Sequence, residues 1–137
     1  MYQIYFLSII INLIVGIVLI RDVLMDRFPA FGKILENVGE MDIFRLAGGA
    51  AAVFVGLLKL LAVSPDDYVI IGDLFPALAG IAAGKTLLCE YFTKKQISLP
   101  AWSTRIADFL MGTRQIWGFA AIISAVLHFF FNRVLFL

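Results

Sequence analysis

Runs of apolar residues long enough to cross a bilayer constrain this chain more than any other feature. A crossing needs roughly 17–25 such residues, and four stretches approach that length, at about 4–20, 46–63, 69–92 and 116–131. Hydrophobic residues fill 62% of the 137 positions, against roughly half in an ordinary soluble domain. The expected fold is therefore an all-α integral membrane protein, a four-transmembrane-helix bundle forming a single domain over 1–137.

The basic residues are distributed unevenly between the connecting segments. Arg21, Arg27, Lys33 and Arg45 lie between the first and second stretches, and Lys94, Lys95, Arg105 and Arg114 between the third and fourth. The short link Ser64-Pro65-Asp66-Asp67 has none, and only Lys59 and Arg133 lie toward its side. Basic loops stay in the cytoplasm, so a multi-pass protein of the cell membrane with both termini outside the cytoplasm is expected. The first stretch lacks a basic leader and is followed by Arg21-Asp22-Val23-Leu24, which is not a small-residue cleavage site. It reads as a permanent span.

Both basic segments carry helical periodicity. After Pro29, the residues Phe31, Ile34, Leu35, Val38 and Met41 recur on one side, opposite Lys33, Glu36 and Glu40. In the second segment, Ser103 or Thr104 is a candidate cap for a short helix presenting Ile106, Phe109 and Leu110. Short amphipathic interfacial helices are expected in both cytoplasmic loops, with Trp102 and Trp117 at headgroup depth.

The two halves, 1–64 and 65–137, share a plan of span, Pro-containing amphipathic loop and span. Gly16-Ile17 followed by Arg21 matches Gly80-Ile81 followed by Lys85. Arg45, Gly49, Ala51 and Ala52 match Arg114, Gly118, Ala120 and Ala121. A tandem two-helix repeat about an axis along the membrane normal is the corresponding expectation. This parallel two-plus-two plan resembles the DoxX-like four-helix membrane proteins in its general architecture.

Helices in lipid associate through close backbone approach and polar contacts. Each stretch offers a small-residue or polar stripe: Ser8, Asn12 and Gly16; Gly48, Ala52 and Gly56; Gly72, Pro76, Gly80 and Gly84; and Trp117, Ala121, Ser124 and His128. The third stretch is the least apolar, with Asp73, Lys85 and Glu90. A charge at mid-helix costs about 2.5–3.5 kcal/mol, so this helix is expected to be the one most covered by its neighbours. The lone cysteine, Cys89, excludes an internal disulfide.

The intramembrane polar residues collect toward the outer side, where Lys59, Asp73, His128, Asn12 and Ser124 form a candidate cluster. Lys59 and Asp73 lie equally far from Asp66, so an antiparallel hairpin would bring them to one depth and pair them, with His128 nearby. Two other readings stay open: Lys59 snorkelling outward, and Asp73 capping a helix that begins near Pro76. Arg45 and Arg114, at the starts of the second and fourth stretches, are candidate headgroup anchors.

A net charge of +1 gives no reason to expect a nucleic-acid partner. One histidine, no His/Asp/Glu cluster and no phosphate-binding loop argue against an enzyme, and no cofactor or metal is expected. The expected partners are the lipid bilayer and either a membrane-protein partner or a second copy. The expected role is that of a non-catalytic accessory or structural subunit of a membrane assembly. The alternative is a small transporter or channel-like protein with a polar site in the outer half of the bundle.

Overall fold

The computed structural model describes residues 2–61, 74–98 and 100–130. Within them the chain is helical throughout, with no strand among the described residues. In chain order come α1 (Tyr2–Leu19), α2 (Arg21–Arg27), α3 (Pro29–Glu40), a π-helical turn (Phe44–Gly48) running directly into α4 (Gly49–Leu61), α5 (Leu74–Lys94), α6 (Ala101–Gly112) and α7 (Arg114–Phe130). Asp73, the link at 64–67 and Arg133 fall outside the described residues, so the proposed Lys59–Asp73 pair does too.

The expectation of four transmembrane helices is corrected by the helices themselves. Among the described residues only Phe44–Leu61 is long and apolar enough to cross a membrane, and these residues provide up to three crossings if each of two bent helix pairs counts as one. The first stretch ends where α1 turns by 66° into α2, and the fourth begins just after α6 turns by 69° into α7. In α5, Lys85, Glu90 and Lys94 interrupt 21 residues of otherwise adequate length. The four-span plan shared with DoxX-like proteins is corrected with it. The apolar runs were long enough on paper, but bends and charges shorten the uninterrupted apolar helix that each provides.

Local signals explain several helix ends. Pro29 opens α3, where its fixed φ suits a first turn and its missing N–H is not needed. Pro100 occupies the cap position of α6. Ser103 and Thr104 do not cap that helix; their hydroxyls donate back to the carbonyl oxygens of Pro100 and Ala101, each at 2.8 Å. The amphipathic face expected for α3 is divided. Leu35 is buried with Gly32 and Gly39, whereas Phe31, Ile34 and Met41 are exposed.

The long helices meet at glycines. A methyl group on Gly16 of α1 would sit 2.8 Å from the carbonyl oxygen of Gly118 in α7, and one on Gly118 2.9 Å from that of Gly16. Gly49 of α4 and Gly84 of α5 repeat the arrangement at 2.8 and 2.7 Å. Such crossings let backbones touch, which is how helices associate where apolar burial offers little. The small-residue stripe of α4 runs Gly49, Ala52 and Gly56, all buried. The sequence stripe began one residue earlier, at Gly48, because regular periodicity carries no sign of the π-turn. Around these crossings Val15, Val18, Leu19, Leu87 and Ala121 form the packed centre. Phe6, Ile14, Phe54, Leu61, Ile116 and Phe130 face outward.

Candidate functional site

Two groups of polar side chains occupy opposite ends of the packed helices. The first joins α1, α4 and α7. Lys59, in the last turn of α4, and His128, in the last turn of α7, are 5% and 2% exposed. Lys59 Nζ lies 2.6 Å from His128 Nε2. A hydrogen bond between two nitrogens needs a proton on one and a lone pair on the other, so the contact excludes both being fully protonated. Tyr5 joins the group: its hydroxyl donates to the His128 carbonyl oxygen, and its ring lies 4.4 Å from the imidazole. The Lys59 nitrogen stands 5.6 Å from the Tyr5 ring centroid, within cation–π range.

The remaining candidate residues lie nearby but are otherwise engaged. Ser124 shares the buried face of α7 with His128, yet its hydroxyl donates to Ala121 O of its own helix at 2.9 Å. Asn12 of α1 donates to Pro76 O of α5 at 3.0 Å, and its side chain fills the space beside Gly80. Of the five outer-cluster candidates, then, Lys59 and His128 touch, Asn12 and Ser124 serve helix contacts, and Asp73 is outside the described residues.

The second group centres on Glu90 of α5. Its Oε2 lies 3.4 Å from Arg21 Nη2 and 3.5 Å from Arg45 Nε, and its Oε1 lies 3.4 Å from Arg114 Nη1. Three arginines from α2, the π-turn and α7 thus surround one carboxylate whose side chain is 10% exposed. Arg45 Nη2 also donates to Glu40 at 2.8 Å, and Arg114 pairs with Asp22. The two candidate headgroup anchors are therefore brought together, with Arg45 buried and Arg114 part-buried. Arg21 and Glu90 were not recognised as their companions. The available signal was depth: all four close an apolar run on its basic side. Lys85, another charge of the third stretch, lies five residues from Glu90 on a different face of α5 and is exposed.

A shell of exposed charges borders this group. Lys94 donates to the Glu40 carbonyl oxygen at 2.8 Å and pairs with Asp42 at 3.2 Å, while Lys95 pairs with Asp42 at 2.6 Å. Burial pushes the Glu40 carboxyl up, but the hydrogen bond from Lys94 and the charge and hydrogen bond of Arg45 together hold it below its ordinary value. Hydrogen bonds from Lys95 and Lys94 hold Asp42 low, and Asp42 in turn pushes Lys95 up.

Fold and site together define an all-helical protein in which a few buried charged side chains meet at both ends of a glycine-packed core. The chain belongs to a protein family whose model matches residues 1–128 and whose description names no activity. No curated protein and no solved structure matches it.

Proposed function

We propose that this chain is a non-catalytic subunit of a membrane assembly, with both of its basic segments toward the cytoplasm. One observation carries the reading: a few charges are turned in while many large apolar side chains are turned out. Lys59, Arg21 and Arg45 are each about 5% exposed, while Phe6, Phe54, Ile116 and Phe130 are more than half exposed. A contiguous apolar exterior of this kind fits lipid or another apolar protein face, and inward-paired charges are what such surroundings require.

The duplication expected from the sequence belongs to the same proposal, in a revised register. The hydrogen bonds Arg21–Glu90 and Lys59–His128 both join residues 69 positions apart. The crossings Gly16–Gly118 and Gly84–Gly49 also exchange helices between the halves. In that register Gly118 is the counterpart of Gly49, and Lys85, next to Gly84, is the counterpart of Gly16. A pair of equivalent residues that touch lies on the axis relating two repeats.

Purification of the native protein in mild detergent, with identification of what co-migrates, tests the proposal. A stoichiometric protein partner supports it, and a lone chain that recruits none overturns it. A second reading, a small transporter, draws support from the buried Lys59–His128 contact, because intramembrane ionisable groups commonly serve ion or solute pathways. A lone oligomer whose small-solute binding is lost in Lys59→Met would favour that reading.

A further inference from the structure

The arginine group around Glu90 has features that helix fastening does not require. Its interior places three guanidinium groups about one carboxylate. The other two carboxylates, Glu40 and Asp22, are 54% and 53% exposed at the rim, where water screens them. All three contacts to Glu90 are long, at 3.4–3.5 Å, whereas charge-assisted N–H···O bonds settle near 2.7–2.9 Å. Arg45, 5% exposed, has an Nη1 with no hydrogen-bond partner among the described residues. A buried unused donor on a charged group costs free energy that an ordinary structural clip would avoid. Arg45 also stands on the π-turn Phe44–Gly48, an irregularity that occurs frequently at functional sites.

We propose that Arg45, Arg114 and Arg21 form a binding site for a phosphate group, with Glu90 as an internal counter-charge. The phosphate enters at the rim, where Arg114 is 24% exposed. It replaces Glu40 on Arg45 and Asp22 on Arg114, and engages the unused Arg45 Nη1. Guanidinium groups suit this ligand because their planar forks match phosphate oxygens two at a time. The source is either an anionic phospholipid headgroup or a free phosphate, and the chemistry of the site is the same for both. The inference is independent of the accessory-subunit reading, since a site can be filled with or without a protein partner.

The test uses the full chain in uncharged detergent and follows its melting temperature. One titration adds sodium phosphate against sodium chloride at equal ionic strength, and the other adds phosphatidylglycerol against phosphatidylcholine. A saturable rise with phosphatidylglycerol alone assigns the site to lipid, and one with phosphate as well assigns it to the free oxyanion. Arg114→Gln should weaken the apparent affinity about tenfold, as loss of a charge-assisted pair does. Glu90→Gln keeps all three arginines, removes the internal competitor and should tighten binding by about the same factor. Binding unchanged in Arg114→Gln overturns the proposal. So does wild-type protein that responds to neither ligand beyond its control, a result that depends on no variant folding.

Discussion

Lys59 and His128 close the ends of two helices that never follow one another in the chain, and their nitrogens meet at 2.6 Å in a fully packed setting. The contact ties α4 to α7, which otherwise pack mainly against α5 and α1. Its energetic value rests on burial, which removes the water that would otherwise compensate for a lost contact.

Removing both members of this pair should therefore cost less than the sum of removing each. Lys59→Met or His128→Leu alone is expected to lower stability by about 2–4 kcal/mol. The double variant should lose less than the sum of the two, with a coupling of about 1–3 kcal/mol. Denaturant unfolding in detergent of the four proteins measures the cycle. A coupling indistinguishable from zero would show that the contact contributes nothing.

The glycine crossings give a prediction of opposite sign at two positions of the same residue type. At Gly84 an added methyl meets the Gly49 carbonyl oxygen at 2.7 Å and the Val53 nitrogen at 2.9 Å, backbone atoms that cannot step aside singly. Gly84→Ala should cost about 1–3 kcal/mol through forced separation of α4 and α5. Gly112, at the end of α6, has nothing within 4 Å of such a methyl and no positive φ. Gly112→Ala should be neutral or stabilise by up to about 1 kcal/mol, because alanine loses less backbone freedom on folding. Thermal unfolding of both variants settles the ordering.

Helix positions were legible in the sequence because they depend on composition and periodicity, which are local. Ser8, Asn12 and Gly16, spaced by four, are all buried in α1. The bend at Ile20 was not legible: Arg21 follows an unbroken apolar run, and the turn arises where its guanidinium folds back to Val18 O and reaches Glu90. Nor was the π-turn, which moves the α4 stripe from Gly48 to Gly49. Lys59 was found because a lysine in an apolar run is conspicuous. Tyr5 was missed because a tyrosine near a helix start is ordinary, and only the approach of α7 makes it a partner of His128. The Glu90 group shows the same limit, since four residues spread over 94 positions share nothing but depth.

Acid should dissolve the charged shell beside Glu90. Glu40 and Asp42 have depressed values in the folded chain. Their contribution is present above the ordinary values of 4.5 and 3.8 and is lost as pH falls through the lower folded values. Lys95 is raised, so its contribution is complete below its ordinary 10.5 and is lost as pH rises through the higher folded value. Between these limits the shell is fully paired. The melting-temperature difference between wild type and Asp42→Asn should be constant from pH 5 to pH 9, by that ordering, and should shrink toward zero in stronger acid. A difference that grows with acid would reverse the assignment.

The orientation proposed from the basic segments can be tested without deciding how many helices cross. Lys33 in α3 and Arg105 in α6 are both exposed and belong to different basic segments. In a Cys89→Ser background, which removes the chain's own thiol, Lys33→Cys and Arg105→Cys each supply one accessible cysteine. Retention of basic segments on the cytoplasmic side predicts that a membrane-impermeant maleimide labels neither in intact cells and both after permeabilisation. The pair matters more than either alone, because the π-turn, α4 and α5 all lie between them. If only one is labelled from outside, the two segments lie on opposite sides. Arg21, Arg45 and Arg114 could not then meet at Glu90, so the same labelling experiment also bears on whether the arginine group forms in the membrane.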